Sequence, residues 1–423
     1  MRVAGTIRVP GDKSISHRAL MLAALGKGPS RIAGILDSAD IRSTAGILRA
    51  LGVSIPELSP DFIIYGVGLR GLKAAPMSLD CGNSGTSARL LAGIGAAQPF
   101  ASTFIGDESL SRRPMGRVAR PLTQMGARVD LPDHGGLPMT IRGGHLEPIR
   151  YHSETSSAQV KSAILLAACA AGVPSSVTEP QRSRDHTERM LSARGMHVHL
   201  EEGPQGHCVH LGPIEELDSL DTDVPADPSS AAFFAGLAAL SAAGEIALPG
   251  ICINPTRTGA VAVLQRMGAR IAMTGHAESG GEETATLVAS AGRLVATAIG
   301  GAEIPTLIDE LPLIACVATR AEGETVITGA AELRVKESDR IAVVVANLRA
   351  IGVEVHELPD GLRVIGSDRP LAGAIRTHGD HRIAMAFGVL GAVPGNVIAI
   401  DDPACVSVSF PGFWNDLRSA VST

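Results

Sequence analysis

The chain has 423 residues, of which 45% are hydrophobic and 3% aromatic, and its formal net charge at pH 7 is −6. This length exceeds what one compact core serves, so we expect two or three domains. The acidic balance argues against nucleic-acid binding. No apolar run reaches the ~18 residues of a membrane span, and the start lacks the apolar stretch of a secretory signal. We therefore expect a cytoplasmic protein that binds neither nucleic acid nor membrane.

The six cysteines are scattered and form no C-x-x-C pair, which predicts reduced thiols and no zinc site. The chain also contains no G-x-x-x-x-G-K-[ST] loop, no G-x-G-x-x-G turn and no H-E-x-x-H motif. We therefore expect no ATP, NAD or metal cofactor. The cysteines are Cys81, Cys169, Cys208, Cys252, Cys316 and Cys405.

A polar cluster, followed by an apolar run and then a glycine, recurs six times in the chain. The closing glycines lie roughly 70–80 residues apart, a period typical of a repeated supersecondary unit. Each run is apolar nearly all round, which predicts a buried helix. The six runs are 19–25, 89–94, 163–171, 231–243, 311–319 and 383–393.

Each repeat also contains a second, amphipathic helix pattern. Strings such as Leu48–Val53 and Leu122–Ala127 predict a helix that is ended by a glycine and followed by a strand. We predict that the apolar helices pack together, with sheets outside them and the amphipathic helices on the surface. The predicted helix-ending glycines are Gly52, Gly126, Gly195, Gly268 and Gly352.

The polar ends of the buried helices indicate a phosphorylated, anionic substrate, because a helix N-terminus offers free N–H groups and partial positive charge. Lys13 and Arg18 lie at the first end, where we expect Ser14 to cap the helix and donate a hydrogen bond. Arg89 lies near the second, after Asn83–Thr86, which resembles an anion cradle. The helix dipole disfavours such cations, and a bound anion would reverse that cost. Ordinary N-capping explains any one end equally well.

Further charged residues extend this pattern. Arg112 and Arg113 precede a predicted helix, and Lys336–Arg340 places four ionisable groups within five residues. Arginine suits bidentate recognition of phosphate or carboxylate, although Lys336–Arg340 alone fits a solvated helix start better. The candidate acid–base groups are Lys13, Asp309, Glu310, Glu337, Asp380 and His381.

Ten strings along the chain resemble motifs of the EPSP synthase family of enolpyruvyl transferases. They occur in the family's order and cover essentially the whole chain, and together they are highly specific. The strings are 9–19, 82–89, 113–114, 157–162, 183–188, 227–232, 254–257, 307–310, 334–340 and 379–382.

This resemblance implies an α/β fold, a two-domain inside-out α/β barrel of six β-α-β-α-β-β repeats, three per domain, with buried helices and outer sheets. Residues 12–224 would form one domain, inserted into another that joins residues 1–11 to 225–423, with the active site in the interdomain cleft. The implied reaction transfers the enolpyruvyl group of phosphoenolpyruvate to the 5-hydroxyl of shikimate 3-phosphate through a tetrahedral ketal intermediate, and releases phosphate. It belongs to the shikimate pathway of chorismate and aromatic amino acid biosynthesis. We expect a monomer without a cofactor.

The resemblance also implies roles for individual residues. Lys13 and Glu337 would transfer protons, and Asp309 would orient or deprotonate the 5-hydroxyl. The residues implied to bind shikimate 3-phosphate are Lys13, Ser14, Arg18, Ser157, Ala158, Gln159, Arg184, Asp309 and Lys336. Those implied to bind phosphoenolpyruvate are Lys13, Asn83, Gly85, Arg89, Arg113, Gln159, Arg340, His381 and Arg382.

Two positions depart from the pattern of some family members. Ala158 stands where these members have a second serine, so one phosphate contact is missing, and Arg184 compensates in members with the same S-R-D-H string. Val408 stands where some members have a phosphate-binding lysine.

Three other functions share some of these features. A UDP-N-acetylglucosamine enolpyruvyl transferase would need a cysteine within Ser109–Arg113, which contains none. An RNA 3′-terminal phosphate cyclase would carry a basic surface and a nucleotide-linked histidine. A non-catalytic phospho-metabolite-binding protein would need the arginines but not Lys13, Asp309 and Glu337 together.

Overall fold

The computed structural model describes residues 1–422 and divides into two compact units. The inserted unit consists of Gly11–Pro225 and Glu278–Glu282. The terminal unit consists of Met1–Pro10, Ala226–Ala277 and the chain from Glu283 onward. The terminal unit is therefore assembled from both sides of the inserted segment, and it begins with strand β1 (Arg2–Val3).

The inserted unit contains three sheets whose strands follow the expected repeat. In its second and third repeats, the two strands that flank the buried helix pair in parallel, and the next two strands add antiparallel. The helices are α1 (Lys13–Leu25), α2 (Ala39–Ala50), α3 (Gly85–Ala96), α4 (Glu108–Ser111), α5 (Gly116–Gln124), α6 (Ala158–Ala171) and α7 (His186–Ser192). The strands are β2 (Gly26–Ala33), β3 (Asp61–Val67), β4 (Leu79–Asp80), β5 (Ala101–Ile105), β6 (Arg128–Asp130), β7 (Met139–Arg142), β8 (Ile149–His152), β9 (Ser175–Glu179), β10 (Val198–Gly203), β11 (Gly206–Leu211), β12 (Leu217–Asp218) and β13 (Thr222–Asp223).

The first repeat of this unit is completed by the end of the segment. Strands β12 and β13 both pair in parallel with β2, and β3 pairs antiparallel with β2. The other two sheets have the strand orders β4-β5-β7-β6 and β10-β11-β9-β8.

The terminal unit repeats the same pattern. Its helices are α8 (Pro228–Ala239), α9 (Gly259–Arg266), α10 (Ile304–Leu307), α11 (Leu311–Ala318), α12 (Arg340–Ala350), α13 (His381–Gly391) and α14 (Phe413–Ala420), with 3-10 helices at Gly301–Glu303, Ala331–Val335 and Pro403–Val408. Its further strands are β14 (Ala243–Cys252), β15 (Arg270–Ser279), β16 (Glu282–Ser290), β17 (Ala298–Ile299), β18 (Glu324–Ile327), β19 (Val355–Leu358), β20 (Gly361–Ile365), β21 (Ala372–Ile375), β22 (Val397–Ile400) and β23 (Val421–Ser422). The sheet orders are β15-β16-β14-β1-β23, β17-β18-β20-β19 and β21-β22.

The predicted apolar helices form the cores of the two units. In the inserted unit α3 packs on α6 and contacts α1, and in the terminal unit α8, α11 and α13 contact one another. Every residue of α8 and α11 is buried. These six helices and the α/β fold class are confirmed.

Small residues allow these helices to approach closely. A Cβ on Gly93 of α3 would lie 2.2 Å from the carbonyl oxygen of Ala163 on α6. The two backbones can therefore touch only because residue 93 is glycine.

The predicted helix ends are largely confirmed. The five glycines predicted to end the amphipathic helices all have φ between 85° and 107°, the left-handed region that glycine adopts without strain. The prediction that Ser14 caps α1 is wrong. Asp12 is the N-cap, because its Oδ1 accepts a hydrogen bond from the Ile15 amide at 2.8 Å, and Ser14 lies within the helix.

Candidate active site

The three buried helices of the inserted unit begin at predicted site residues. Lys13, Gly85 and Ala158 are the first residues of α1, α3 and α6. The residues before Gly85 and Ala158 cap their helices, since Ser84 Oγ accepts from the Ser87 amide at 3.1 Å and Ser157 Oγ accepts from the Val160 amide at 3.5 Å. The first turn of each helix therefore carries the side chains that we expect to bind anions.

Lys13 forms an ion pair with Asp40 in the first turn of α2, with Nζ 3.0 Å from Oδ2. The two side chains are 18% and 8% exposed. Asp40 therefore holds the Lys13 ammonium close to the N-terminus of α1.

Arg18 joins three helices of the inserted unit. Its Nε donates to Thr187 Oγ1 at 2.7 Å, its Nη2 to Ser162 Oγ at 2.8 Å and its Nη1 to the Ser14 carbonyl at 2.9 Å. Burial lowers the pKa of Arg18 to about 10, against the opposing charge of Glu188. Arg18 is therefore cationic at neutral pH and held rigidly.

Four of the residues predicted to bind phosphoenolpyruvate in this unit form two hydrogen-bonded pairs. Arg89 Nη1 donates to Gln159 Oε1 at 2.6 Å, and Arg113 Nη2 donates to Asn83 Oδ1 at 2.6 Å. Gly85 lies beside both arginines, because a Cβ there would be 2.7 Å from Arg89 Nη1 and 3.5 Å from Arg113 Nη1. The backbone at the start of α3 thus lies beside two guanidinium groups, an arrangement suited to a carboxylate or a phosphate.

Arg340 is the centre of the corresponding cluster in the terminal unit. It is 1% exposed, and three carboxylates surround it. Asp380 Oδ2 lies 2.8 Å from Nε, Glu337 Oε2 lies 2.7 Å from Nη2, and Asp309 Oδ1 lies 3.1 Å from Nη1. Burial alone would lower the pKa of Arg340, but Asp380, Glu337 and Asp309 raise it above its ordinary value. Lys336 Nζ lies 3.4 Å from Asp309 Oδ1, so one carboxylate joins the two cations.

Arg382 belongs to a second cluster of buried polar side chains in this unit. Its Nη1 lies 3.4 Å from Glu310 Oε1, which also accepts a hydrogen bond from the Ser229 hydroxyl. Arg257 Nη2 lies 3.1 Å from both Ser229 Oγ and Asp227 Oδ1. Glu310, which the sequence marked as a candidate acid–base group, therefore anchors an arginine.

The remaining predicted residues lie on several elements. Arg184 is half-buried in the loop before α7, and His381 is the buried first residue of α13. Ala158 offers no polar side chain. Val408 is half-buried at the end of the 3-10 helix Pro403–Val408.

No role was predicted for four residues that contact predicted site residues. Asp40 carried no signal, since only the tertiary structure pairs it with Lys13. Ser162 and Thr187, which bind Arg18, and Ser229, which binds Glu310, lie in the strings 157–162, 183–188 and 227–232. Their place in these strings was the signal that could have found them.

The family model for EPSP synthase (3-phosphoshikimate 1-carboxyvinyltransferase) matches residues 1–417. The chain belongs to the EPSP synthase family. The 3-phosphoshikimate 1-carboxyvinyltransferase of Xanthomonas oryzae pv. oryzae is 49% identical over 411 residues, covering 97% of this chain and 92% of the relative. That of Persephonella marina is 45% identical, covering 100% and 98%. The family prediction is therefore confirmed, and the alternative functions are not favoured.

Solved structures give the same result. An EPSP synthase from Acinetobacter baumannii has a TM-score of 0.87 and 41% identity, covering 99% of this chain and 96% of that one. The enolpyruvyl transferase NikO from Streptomyces tendae has a TM-score of 0.77 at 18% identity, covering 99% and 95%, and it shares the EPSP synthase fold. Within residues 1–422, no helix has both the length and the apolar character to cross a membrane.

Proposed function

We propose that this chain transfers the enolpyruvyl group of phosphoenolpyruvate to the 5-hydroxyl of shikimate 3-phosphate and releases phosphate. Membership of the EPSP synthase family supports this activity. The observation that carries it is the Arg340 cluster, in which Asp309 and Glu337 both lie within 3.1 Å of one buried guanidinium. This enolpyruvyl transfer needs acid–base carboxylates beside a cation that binds the phosphate, and the cluster supplies both.

The inserted unit supplies most of the side chains for substrate binding. In this unit, shikimate 3-phosphate would be bound by six residues, namely Lys13, Ser14, Arg18, Ser157, Gln159 and Arg184. In the terminal unit, Asp309 and Lys336 would bind the same substrate. Because Ala158 lacks a hydroxyl group, Arg184 would supply the missing contact to the phosphate of this substrate.

Phosphoenolpyruvate would lie against the start of α3. Arg89 and Arg113, already oriented by Gln159 and Asn83, present guanidinium groups to its anionic groups. The terminal unit would add Arg340, His381 and Arg382. Oriented cations stabilise the negative charge that develops as phosphate leaves, without the cost of reorganising water.

The chemistry requires one group to act first as an acid and later as a base. The methylene carbon of the enol gains a proton while the 5-hydroxyl attacks the adjacent carbon, and a tetrahedral ketal phosphate results. Removal of a proton from the new methyl group then expels phosphate. Glu337 and Lys13 would transfer these protons, and Asp309 would orient or deprotonate the 5-hydroxyl.

The Arg340 cluster links binding of phosphoenolpyruvate to this chemistry. A guanidinium has five N–H donors in a fixed plane, and three carboxylates already bind that of Arg340. We propose that a bound phosphate group displaces Glu337 or Asp309 from this guanidinium. The displaced carboxylate would then be available to a substrate proton.

The resemblance also implies a cellular setting and an assembly. We propose that the chain acts as a monomer in the cytoplasm without a cofactor. Exclusion of water would protect the bound substrates, because phosphoenolpyruvate and the ketal are both sensitive to hydrolysis.

Phosphate release by the purified protein tests the proposed function. Shikimate 3-phosphate and phosphoenolpyruvate are supplied together and separately, without added nucleotide. We expect phosphate only when both are present. The proposal would be refuted by release from phosphoenolpyruvate alone at the same rate, or by no release from a folded protein.

A further inference from the structure

Lys161, in the first turn of α6, forms a buried ion-pair triad with Glu179 and Glu188. Lys161 Nζ is 2.7 Å from Glu179 Oε1 and 2.8 Å from Glu188 Oε1, and all three side chains are at most 2% exposed. Burial alone would lower the pKa of Lys161, but Glu188 and Glu179 raise it. Lys161 is therefore charged within the core of the inserted unit.

The triad fixes the residue that precedes Arg184. Ser183 Oγ donates to the Glu179 carboxylate, with distances of 2.8 and 2.7 Å to its two oxygens, and the Ser183 amide donates to Glu179 Oε1 at 2.8 Å. Lys161 Nζ donates to the Ser183 carbonyl at 3.3 Å. The backbone directly before Arg184 is thus held on its amide, carbonyl and side chain.

The same two helices hold Arg18 through the neighbouring residues. Ser162 and Thr187, which bind the Arg18 guanidinium, follow Lys161 and precede Glu188 in the sequence. The dipeptides 161–162 on α6 and 187–188 on α7 therefore form one continuous polar contact. This contact touches Arg18 on one side and the 180–185 loop on the other.

Stability alone does not account for three buried ionisable side chains. Removing a lysine and two glutamates from water is costly, and an apolar replacement of similar volume is often equally stable. Hydrogen-bonded ion pairs orient their side chains more strictly than apolar contacts do, because each hydrogen bond fixes an angle as well as a distance. Within α6, Lys161 follows Gln159 by two residues and Ser157 by about one helical turn, and we propose that both of these residues bind the substrate.

We propose that Lys161, acting with Glu179, is a positioning residue for Arg184. By fixing Ser183 against α6, it makes Arg184 converge with Ser157 and Gln159 on the phosphate of shikimate 3-phosphate. This inference rests on the proposed function. It also explains how a chain with Ala158 in place of a serine retains an ordered phosphate site, since the triad orients the compensating arginine.

Four variants test the inference by titration with shikimate 3-phosphate and by steady-state kinetics. We expect Lys161→Met to weaken shikimate 3-phosphate binding about tenfold or more, while the KM for phosphoenolpyruvate changes less than about twofold. Lys161→Arg should restore most of the affinity. Ser183→Ala leaves the ion pairs intact and should weaken binding about threefold to tenfold. Lys27→Met, which removes a lysine of an exposed ion pair in the same unit, should change neither quantity.

A double-mutant cycle separates positioning from general loss of structure. If Lys161 acts through Arg184, then Lys161→Met should have little further effect on shikimate 3-phosphate binding in an Arg184→Ala background. Additive losses in the two backgrounds would overturn the inference, as would unchanged affinity of folded Lys161→Met and Ser183→Ala. If Lys161→Met does not fold, Ser183→Ala replaces it in the double-mutant cycle with Arg184→Ala, and the same criteria apply. Failure of the wild-type protein to bind shikimate 3-phosphate would instead refute the proposed function.

Discussion

Arg382 and Glu310 form a buried ion pair, with Arg382 Nη1 3.4 Å from Glu310 Oε1. The preceding residue, Asp309, pairs with Arg340 at 3.1 Å. Adjacent carboxylates thus hold two arginines that we propose to bind phosphoenolpyruvate. One short segment before α11 therefore sets the spacing of both guanidinium groups.

The Glu310→Gln substitution tests this relationship, because glutamine keeps the shape of the side chain but removes its charge. We expect the KM for phosphoenolpyruvate to rise about tenfold while the affinity for shikimate 3-phosphate stays within about twofold. Steady-state kinetics with each substrate varied in turn measures both. Glu303→Gln, which alters the more exposed pair with Arg266, is the control. Equal losses for the two substrates would show a general structural role instead.

Two adjacent arginines provide a matched test of phosphoenolpyruvate binding. Arg113 is buried and bonded to Asn83, whereas the side chain of Arg112 is 74% exposed and pairs with Glu108. We expect Arg113→Ala to raise the KM for phosphoenolpyruvate about 10-fold to 100-fold and Arg112→Ala to leave it nearly unchanged. A selective loss of shikimate 3-phosphate affinity in Arg113→Ala would show that Arg113 belongs to the other substrate.

Gly85 lies where a methyl group would meet the Arg89 guanidinium at 2.7 Å. The end of an arginine side chain can move, so Gly85→Ala should fold normally but displace Arg89 from Gln159. We expect a severalfold or larger increase in the KM for phosphoenolpyruvate and a thermal midpoint within a few degrees of wild type. Gly116→Ala is the control, because a Cβ there meets no atom within 4 Å. An unchanged KM in Gly85→Ala would remove the start of α3 from this binding site.

Glu337 is the candidate for the proton transfers at the methylene carbon. Glu337→Gln cannot accept or donate a proton as a carboxyl group does, so we expect kcat to fall at least about 100-fold, with shikimate 3-phosphate binding largely intact. Single-turnover phosphate release and equilibrium binding measure the two effects separately. Glu354→Gln changes an exposed carboxylate of the same unit and should be silent. Full activity of Glu337→Gln would exclude Glu337 from the mechanism.

The stability of the protein should depend on pH through His17. Burial, and then the charges of Lys13 and Arg18, hold the pKa of His17 well below its usual 6.5. Below pH 6.5 the unfolded chain therefore binds a proton that the folded chain does not. As a result, the free energy of unfolding falls by up to about 1.4 kcal/mol for each pH unit of acidification.

The variant His17→Asn can keep the hydrogen bond to Thr44 but cannot titrate. Denaturant unfolding at pH 7 and pH 5 should show a smaller loss of stability for this variant than for wild type. His207, whose pKa burial also lowers, is present in both proteins and does not affect the difference. Parallel losses would show that His17 is not the titrating group.

The sequence allowed the repeat and its helices to be predicted because both depend on local periodicity. A buried helix must be apolar all round, and a left-handed helix end favours glycine, as at Gly52 and Gly268. The cap of α1 was predicted wrongly, since Asp12 and Ser14 are both residue types that suit that role. The ion-pair partners Asp40 and Glu179 could not be predicted either. Their pairing with Lys13 and Lys161 depends on segments that are distant in the sequence and meet only in the fold.

The position of β1 has a consequence for biosynthesis. Its parallel partner β14 lies beyond the whole of Gly11–Pro225, so the ribosome must complete that segment before β1 can pair. Domains generally fold as units during synthesis, and we expect the helices of the inserted unit to pack while the first ten residues still lack a partner. The segment Glu278–Glu282, which also belongs to the inserted unit, is synthesised later still. It contains Glu282, whose Oε1 lies 2.6 Å from His186 Nδ1. The first ten residues of this chain therefore become ordered only after the inserted segment has been synthesised.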